Sequence, residues 1–186
     1  MAIAAVRAAV ASDVAEIVRI QAGTWATAYA ELVPQTAIDQ LSSPAARAAW
    51  EQATTGGSGH VLVAAEGDAV VGFVAAGPAE APENATATDA PTLSSESWGE
   101  IGVLLVEPRW GRRGHGGRLL AAAAAALRDA GAVYGLAWVP EADDASRRFY
   151  ARAGWEPDGG VRAFDTGEGT LREVRITGSL DLKLVE

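Results

Sequence analysis

The stretch EIGVLLVEPRWGRRGHGGRLL, residues 100–120, carries the pattern that decides the fold class. Its first seven residues predict a strand, which Pro108 ends. A basic, glycine-rich turn follows, and a helix is predicted over His115 to Ala130, with Gly131 as its stop. Glycines let a backbone approach a ligand closely, and the free N–H groups at a helix start attract an anion. The turn therefore predicts a cradle for a phosphate or pyrophosphate.

Two general phosphate-binding motifs do not fit this turn. A Walker A loop needs Lys and then Ser or Thr after its last glycine, whereas Gly117-Arg118 stands there. The dinucleotide fingerprint needs Gly or Ala where Leu119 stands, and an acidic residue at the end of the next strand, which has none in place. An ordinary glycine-rich turn and a nucleotide-binding module stay open as alternatives, the second disfavoured by both mismatches.

Upstream of this stretch, the chain begins with a predicted strand and two helical segments. The strand is expected over Ile3 to Ala8, and Ser12 is expected to cap a helix over Asp13 to Ala28. The second helical segment, Gln35 to Trp50, is interrupted near Pro44, because proline disfavours helix in the residue before it.

The middle of the chain predicts a hairpin followed by a long loop. Two strand-like runs, His60 to Ala65 and Ala69 to Ala75, are separated by Glu-Gly-Asp. Gly77 to Ser97 is rich in Ala, Pro, Thr and Ser without periodicity, which is typical of a surface loop.

Downstream of the helix that follows the turn, the pattern continues with alternating elements. Val133 to Val139 is almost wholly apolar, as in a strand covered on both faces. A helix is expected over Asp144 to Ala153, ending at Gly154, and two last strands near Val161 to Asp165 and Leu171 to Ile176. The order of elements indicates a mixed α/β sheet and disfavours a doubly wound Rossmann domain.

Composition and charge exclude several classes of function. The chain of 186 residues contains no cysteine, which excludes thiolate zinc sites, iron–sulfur clusters and a cysteine acyl-enzyme. His60 and His115 are its only histidines, so no metal site is expected. The net charge of -9 disfavours nucleic acid and anionic membranes as partners. Four arginines crowd into residues 109–118, which favours a small polyanion as ligand.

The sequence shows no signal peptide or membrane-spanning segment. The early apolar residues are broken by Arg7, Asp13 and Glu16. The longest wholly apolar run, Leu119 to Leu127, is far shorter than the roughly 20 residues that a bilayer requires. We expect one domain over residues 1–186, located in the cytoplasm.

The glycine-rich turn resembles the acetyl-CoA loop of the GNAT family of N-acetyltransferases. That loop has the pattern Gln/Arg-x-x-Gly-x-Gly/Ala between a strand and a helix, and residues 111–116 read Gly-Arg-Arg-Gly-His-Gly. Glycine replaces Gln or Arg at the first position, so the usual side-chain contact there must be absent or supplied by Arg112 or Arg113. A second family motif, Asn-x-x-Ala-x-x-Phe-Tyr-x-x-x-Gly-Phe, is matched in part by residues 143–155, with Asp143 where Asn is usual.

The resemblance implies both a fold and a cofactor. The fold would be a GNAT-like α/β one: a mixed, mostly antiparallel, twisted sheet flanked by helices, with a splayed central strand pair. The co-substrate would be acetyl-CoA, its pyrophosphate on the N–H groups of the turn and its pantetheine along the preceding strand. The cofactor-binding residues that this implies are Leu104, Leu105, Val106, Arg112, Arg113, Gly114, His115, Gly116, Gly117 and Asp143.

The resemblance also implies direct transfer of an acetyl group to an amine, in a ternary complex without an acyl-enzyme. Glu100 matches the family's strand glutamate and is the candidate base, commonly acting through water. Tyr150 is the candidate acid that protonates the departing CoA thiolate. The alternatives are a solvated strand-end acid for Glu100, a packing aromatic for Tyr150, and packing at the helix start for the His115 side chain.

The acceptor stays open at this stage. Trp25, Tyr29 and Trp98 are candidate acceptor-binding residues, with core packing as the alternative. The acceptor would be an amine of a small molecule or a peptide, and a homodimer is one option for the assembly. A non-catalytic acyl-CoA-binding or sensing domain with the same fold is the alternative function.

Overall fold

The protein forms a seven-stranded sheet with helices on both faces. Its computed structural model describes residues 4–82 and 98–182. The strands are β1 (Ala4–Ala8), β2 (His60–Glu66), β3 (Ala69–Ala79), β4 (Trp98–Val106), β5 (Tyr134–Pro140), β6 (Glu156–Asp165) and β7 (Thr170–Ser179). The helices are α1 (Val14–Ala28), α2 (Gln35–Gln40), α3 (Pro44–Thr55), α4 (His115–Asp129) and α5 (Asp144–Arg152).

The strand order is β1-β2-β3-β4-β5-β7-β6, and only the central pair β4 and β5 is parallel. All other neighbours are antiparallel. The mixed, mostly antiparallel α/β fold expected from the sequence is thus confirmed. None of the helices within the described ranges is long and apolar enough to cross a membrane.

Two separate apolar cores lie on the two faces of the sheet, because strand side chains alternate between faces. On one face, which we call the α1 face, Ile17 and Ile20 of α1 pack against Val63 and Phe73. The opposite face, the α4 face, carries the larger core, built from α4, α5 and alternate strand residues: Val71, Val74, Ile101, Leu119, Leu120, Ala123, Leu127, Tyr150 and Trp155.

The start of α1 differs from the prediction. Residues 11–13 form a single 3-10 turn, and Ser12 lies inside this turn rather than capping the helix. The Asp13 carboxylate accepts the N–H of Val10 at 2.8 Å and two bonds from the Arg7 guanidinium, at 2.6 and 2.9 Å. The hydrogen bond from Arg7 lowers the pKa of Asp13 below its ordinary value. This buried carboxylate, and not Ser12, fixes the turn that leads into the helix.

The other predicted elements are confirmed with changed boundaries. The second helical segment is divided into α2 and α3, and the Ser43 hydroxyl caps α3 by accepting the N–H of Ala46 at 3.1 Å. Strand β3 continues to Ala79, so the first residues of the predicted loop belong to the sheet. Residues 83–97 of that loop, and Ile3 of the first strand, lie outside the described residues.

Two irregularities in the middle of the sheet shape the site. In β4, Val103 faces Ala75 and Ile101 faces Ala76, which leaves Gly102 as the extra residue of a β-bulge. The parallel pairing of β4 with β5 extends only from Trp98 to Ile101. Beyond that point the two strands separate, as the expected splayed pair requires.

The outer strand β6 is interrupted near its start. Its register with β7 shifts between Pro157 and Val161. The Asp158 carboxylate accepts the N–H of Gly160 at 2.9 Å and the Nε–H of Arg175 at 2.8 Å. Both partners of this ion pair are largely buried. The buried pair therefore holds the bulged segment against the sheet.

Candidate active site

A cleft of about 990 Å³ opens at the N-terminal end of α4. One wall is formed by Leu104 and Val106 of β4, and the opposite wall by α5 residues that include Phe149 and Arg152. The glycine-rich turn closes the end of the cleft between them. The cleft therefore joins the two sequence motifs, which are separated by the whole of α4 and β5.

The turn presents a row of unbonded backbone donors. The N–H groups of residues 112–117 have no acceptor among the described residues, and the first N–H engaged is that of Arg118, which donates to Gly114 at 3.1 Å. Arg112 and Gly114 have positive φ angles of 60° and 80°. Left-handed residues within such a turn form concave anion-binding sites, and the helix N-terminus adds its dipole. The arrangement could hold a pyrophosphate.

The arginines of the turn divide into bonded and unbonded side chains. Arg113 donates to Glu66 at 3.2 Å and lies over the Trp110 ring, 4.8 Å from its centroid. Arg112 and Arg152 line the cleft, and neither forms an ion pair or hydrogen bond with any described residue. Arg112 is therefore better placed than Arg113 to replace the family's missing Gln or Arg side chain, while Arg113 holds the turn in place.

The His115 side chain packs beneath the turn. It is buried, and its Nε2 lies 3.0 Å from Oε2 of Glu66 at the end of β2. The Trp110 ring approaches its edge at a centroid distance of 6.5 Å. The imidazole therefore has the packing role given above as the alternative, and only the backbone N–H of His115 belongs to the row of donors.

Gly116 and Gly117 differ in what surrounds them. A Cβ at Gly116 would lie 3.1 Å from Cε2 of Phe149, so glycine allows α5 to approach α4 at this point. A Cβ at Gly117 would meet nothing within 4 Å. A side chain at 116 would therefore contact Phe149.

A narrow slot of about 90 Å³ continues from the cleft through the sheet where β4 and β5 separate. It shares Leu104 and Ser146 with the cleft. Its walls are Ile101 to Leu105 of β4, Trp138 to Pro140 of β5, Ser146 and Tyr150 of α5, Trp25 and Tyr29 of α1, and Glu173 of β7. Beyond Ile101, the backbone of β4 pairs with no described strand on its β5 side, so its polar groups could bond pantetheine amides.

The Tyr150 side chain reaches the slot from α5. Its ring stacks on Trp155 at a centroid distance of 5.5 Å, and Phe149 approaches its edge at 5.2 Å. The hydroxyl makes no hydrogen bond with any described residue. Burial raises the pKa of Tyr150, which keeps the phenol protonated at neutral pH. Both the packing role and the donor role predicted for this residue fit its position.

Glu100 faces a third cavity, of about 480 Å³, on the α1 face. Four glycines, which have no side chains, line this cavity: Gly56, Gly59, Gly77 and Gly102. The half-buried Glu100 carboxylate has no ion pair or hydrogen bond with any described residue. Because Gly102 also lines the slot, the cavity and the slot meet at the β4 bulge.

Tyr29 closes the α1 side of the slot. Its hydroxyl donates to Oδ2 of Asp143 at 2.6 Å, and Trp25 approaches its ring edge at 5.1 Å. Desolvation, together with the bond to Asp143, raises the pKa of Tyr29. Burial alone would raise the pKa of Asp143, but hydrogen bonds from Ser146 and Tyr29 lower it overall. The Asp143 side chain is thus occupied by capping α5 and bonding Tyr29, whereas the sequence predicted a cofactor contact.

Two further predicted residues occupy positions away from the cleft. Trp98 is buried and packs on Tyr134 at a centroid distance of 5.5 Å, and it lines none of the three cavities just described. The structure gives it the packing role rather than the acceptor-binding one. Leu105 packs toward Trp50 in the core of the α1 face and reaches only the slot.

Sequence reasoning missed three contributors to the site. Ser146 lines both the cleft and the slot, Arg152 lies on the cleft wall, and Glu66 anchors the turn from a different strand. Arg152 stands at a variable position of the second motif and Ser146 stands where the motif has Ala, so no pattern singled them out. The contact of Glu66 with residues almost 50 positions away gives no local signal in the sequence.

Comparison with known proteins agrees with this geometry. The model of the acetyltransferase (GNAT) family matches residues 25–155. No curated protein is similar enough in sequence to be matched.

Among solved structures, the chain is similar in fold to the protein yncA from Salmonella typhimurium with its cofactor acetyl-CoA. The TM-score is 0.71 at 20% identity, covering 99% of this chain and 98% of that one. It is also similar to the ribosomal-protein-alanine N-acetyltransferase from Brucella melitensis, with a TM-score of 0.71 at 19% identity, covering 94% of this chain and 99% of that one. A third similar structure is the PaiA N-acetyltransferase from Thermoplasma acidophilum in complex with coenzyme A. Its TM-score is 0.68 at 14% identity, covering 95% of this chain and 99% of that one.

Proposed function

Because the chain belongs to the acetyltransferase (GNAT) family and is an acetyl-CoA-dependent acyltransferase, we propose that it transfers the acetyl group directly to an amine. The acceptor is an amine of a small molecule or a peptide, and both substrates are bound when the transfer occurs. One observation carries this proposal: the cleft and the slot share Leu104 and Ser146, and the slot and the cavity of Glu100 share Gly102.

The cofactor occupies the cleft and the slot. Its pyrophosphate accepts the N–H groups of residues 112–117, with Arg112 and Arg152 beside its phosphates. Its pantetheine follows the free edge of β4 beyond Ile101, and the thioester enters the slot beside Tyr150. The protein holds the reacting carbonyl in one orientation, which lowers the entropic part of the barrier.

Transfer needs one group that takes a proton and one that gives a proton. The ammonium acceptor approaches through the cavity of Glu100, and its proton passes to that carboxylate through water. The amine lone pair then attacks the carbonyl carbon, and the C–S bond of the tetrahedral intermediate breaks. The departing thiolate receives the proton of the Tyr150 hydroxyl, and the second proton that the nitrogen loses as the amide forms returns to the Tyr150 oxygen. Trp25 and Tyr29, which line the slot, pack beside the reacting carbonyl and the acceptor amine.

The test is to incubate the protein with acetyl-CoA and a panel of amines, polyamines, amino acids and peptides with free N-termini. Released thiol and the mass of the acetylated product are measured. We expect turnover with at least one amine, reduced in Glu100→Gln and unchanged in Glu168→Gln, an exposed acid in the β6–β7 turn. Tight acetyl-CoA binding without thiol release for any amine would instead favour the non-catalytic acyl-CoA-binding domain.

A further inference from the structure

Two aromatic side chains, Tyr29 and Trp25, form a wall on the α1 side of the slot. Tyr29 is buried, and its side chain packs in a cluster with Val33 and Ile38. Its hydroxyl donates to Asp143 at 2.6 Å, which ties α1 to the start of α5 across the gap between β4 and β5. The edge of Trp25 supports the ring. A side chain held by packing on one side and by a charged acceptor at its tip cannot swing aside without losing both.

The direction of the slot decides what meets this wall. The slot meets the cofactor cleft at Leu104 and Ser146, with Tyr150 on its α4 side and Trp25 and Tyr29 on its α1 side. If the sulfur lies beside Tyr150, as the proposed function requires, the acyl group points toward Tyr29. The carbon atoms beyond the carbonyl are therefore the part of the cofactor that reaches the wall.

The size of the slot limits the length of the acyl chain. Its volume of about 90 Å³ is below the roughly 150 Å³ of an apolar cavity that holds one benzene molecule. An acetyl group fits this space, whereas a chain several carbons longer needs the positions of the Tyr29 and Trp25 rings. We infer that Tyr29 and Trp25 set the acyl-chain length that the protein accepts and restrict it to acetyl and slightly longer groups.

The inference rests on the proposed function, but its test does not need the acceptor. Calorimetry measures the dissociation constants of acetyl-CoA and hexanoyl-CoA for the wild type, Tyr29→Ala and Trp25→Ala. We expect the wild type to prefer acetyl-CoA at least about 10-fold, equivalent to about 1.4 kcal/mol. Each truncation should reduce that preference about 10-fold or more by improving hexanoyl-CoA binding, an improvement that general destabilisation cannot produce.

Two control variants separate the wall from other effects. Tyr29→Phe keeps the ring and loses only the bond to Asp143, so it should retain most of the preference for acetyl-CoA. Tyr134→Ala truncates an aromatic outside the slot and should leave the preference unchanged. If an alanine variant does not fold, as judged by thermal unfolding, Tyr29→Leu and Trp25→Leu take its place with the same expectation.

The outcomes are distinct. Equal affinity of the wild type for both thioesters, or an unchanged preference in folded truncation variants, would overturn the inference. Failure of the wild type to bind acetyl-CoA at all would overturn the proposed function instead.

Discussion

The ring of Phe149 covers Gly116 so closely that a Cβ there would lie 3.1 Å from its Cε2 atom. The contact joins the first turn of α4, whose backbone N–H groups have no acceptor among the described residues, to the helix that carries Tyr150. A larger side chain at this position would push against the neighbouring helix, and the two family motifs are in direct contact through it.

Gly116→Val is accordingly expected to displace Phe149 and weaken acetyl-CoA binding about 10-fold or more, since such overpacking typically costs about 1–3 kcal/mol. Calorimetry measures the dissociation constant. The double variant Gly116→Val with Phe149→Ala distinguishes two causes. Binding should recover if Phe149 is the obstruction, whereas no recovery would show that the side chain at 116 obstructs the cofactor itself.

Tyr150→Phe keeps the ring stacked on Trp155 and removes only the hydroxyl proton. If that proton stabilises the thiolate, turnover should fall by about 10²-fold while the acetyl-CoA dissociation constant changes little. Steady-state kinetics with an acceptor from the amine panel, together with calorimetry, provide the measurement. Tyr134→Phe is the matched control and should keep full activity. Near-normal turnover of Tyr150→Phe with chemistry rate-limiting would mean that solvent protonates the thiolate.

Arg112→Gln and Arg152→Gln are each expected to raise the acetyl-CoA dissociation constant about 3- to 10-fold. The reason is that a charged contact at an exposed site is worth roughly 1 kcal/mol. The differences should shrink with added salt, which screens exposed charges. Arg47→Gln, an exposed arginine of α3, should behave as the wild type at every salt concentration. An identical loss in all three variants would argue for a general effect of net charge rather than phosphate contacts.

Asp13→Asn should lower the free energy of unfolding by about 1–3 kcal/mol. The reason is that Arg7 loses its charged carboxylate acceptor, and the amide oxygen of the buried Asn is a weaker acceptor. The pKa of Asp13 is lowered in the folded protein, so its contribution is present above its ordinary pKa and is lost as pH falls through the folded value. Urea unfolding from pH 7 to pH 3 should show the gap between wild type and variant closing in acid. Asp39→Asn, exposed on α2, should cause no comparable loss.

Alkaline pH should destabilise the protein partly through Tyr150. Burial raises its pKa above the ordinary value of 10.0, so the unfolded chain releases this proton first. Its stabilising contribution is complete below about pH 10 and decreases above it. By pH 11 the wild type should lose about 1.4 kcal/mol relative to Tyr150→Phe, which has no such proton to lose. Parallel stability curves of the two proteins from pH 9 to pH 11 would contradict a buried, protonated Tyr150.

The sequence was informative where a motif joins a strand to a helix. The cradle at residues 112–117 depends on neighbouring residues, so the pattern of glycines and the helix start predicts it. The hairpin of β2 and β3 was predicted for the same reason. The end of β3 was not, because Gly77 and Pro78 act as breakers in local reasoning, whereas pairing of β3 with β4 carries the strand through both.

Contacts between distant residues were beyond local patterns. Tyr29 and Asp143 are separated by 114 positions and meet only because the sheet places α1 and the start of α5 on either side of one gap. Trp98 follows a loop-like segment, which suggested a pocket residue, yet its pairing register with Tyr134 places it inside the fold. In both cases the partner is determined by sheet topology, which no single segment encodes.

The bulged segment of β6 also has a consequence for the behaviour of the chain in concentrated solution. A sheet that is not closed has two outermost strands, and their unpaired backbone groups can recruit strands of other molecules. At one side β1 is only five residues long. At the other, the Asp158–Arg175 pair fixes a bulge that interrupts β6 between Pro157 and Val161, and charged Arg162 and Asp165 follow it. These features shorten the regular edge that either border offers to a strand of another molecule.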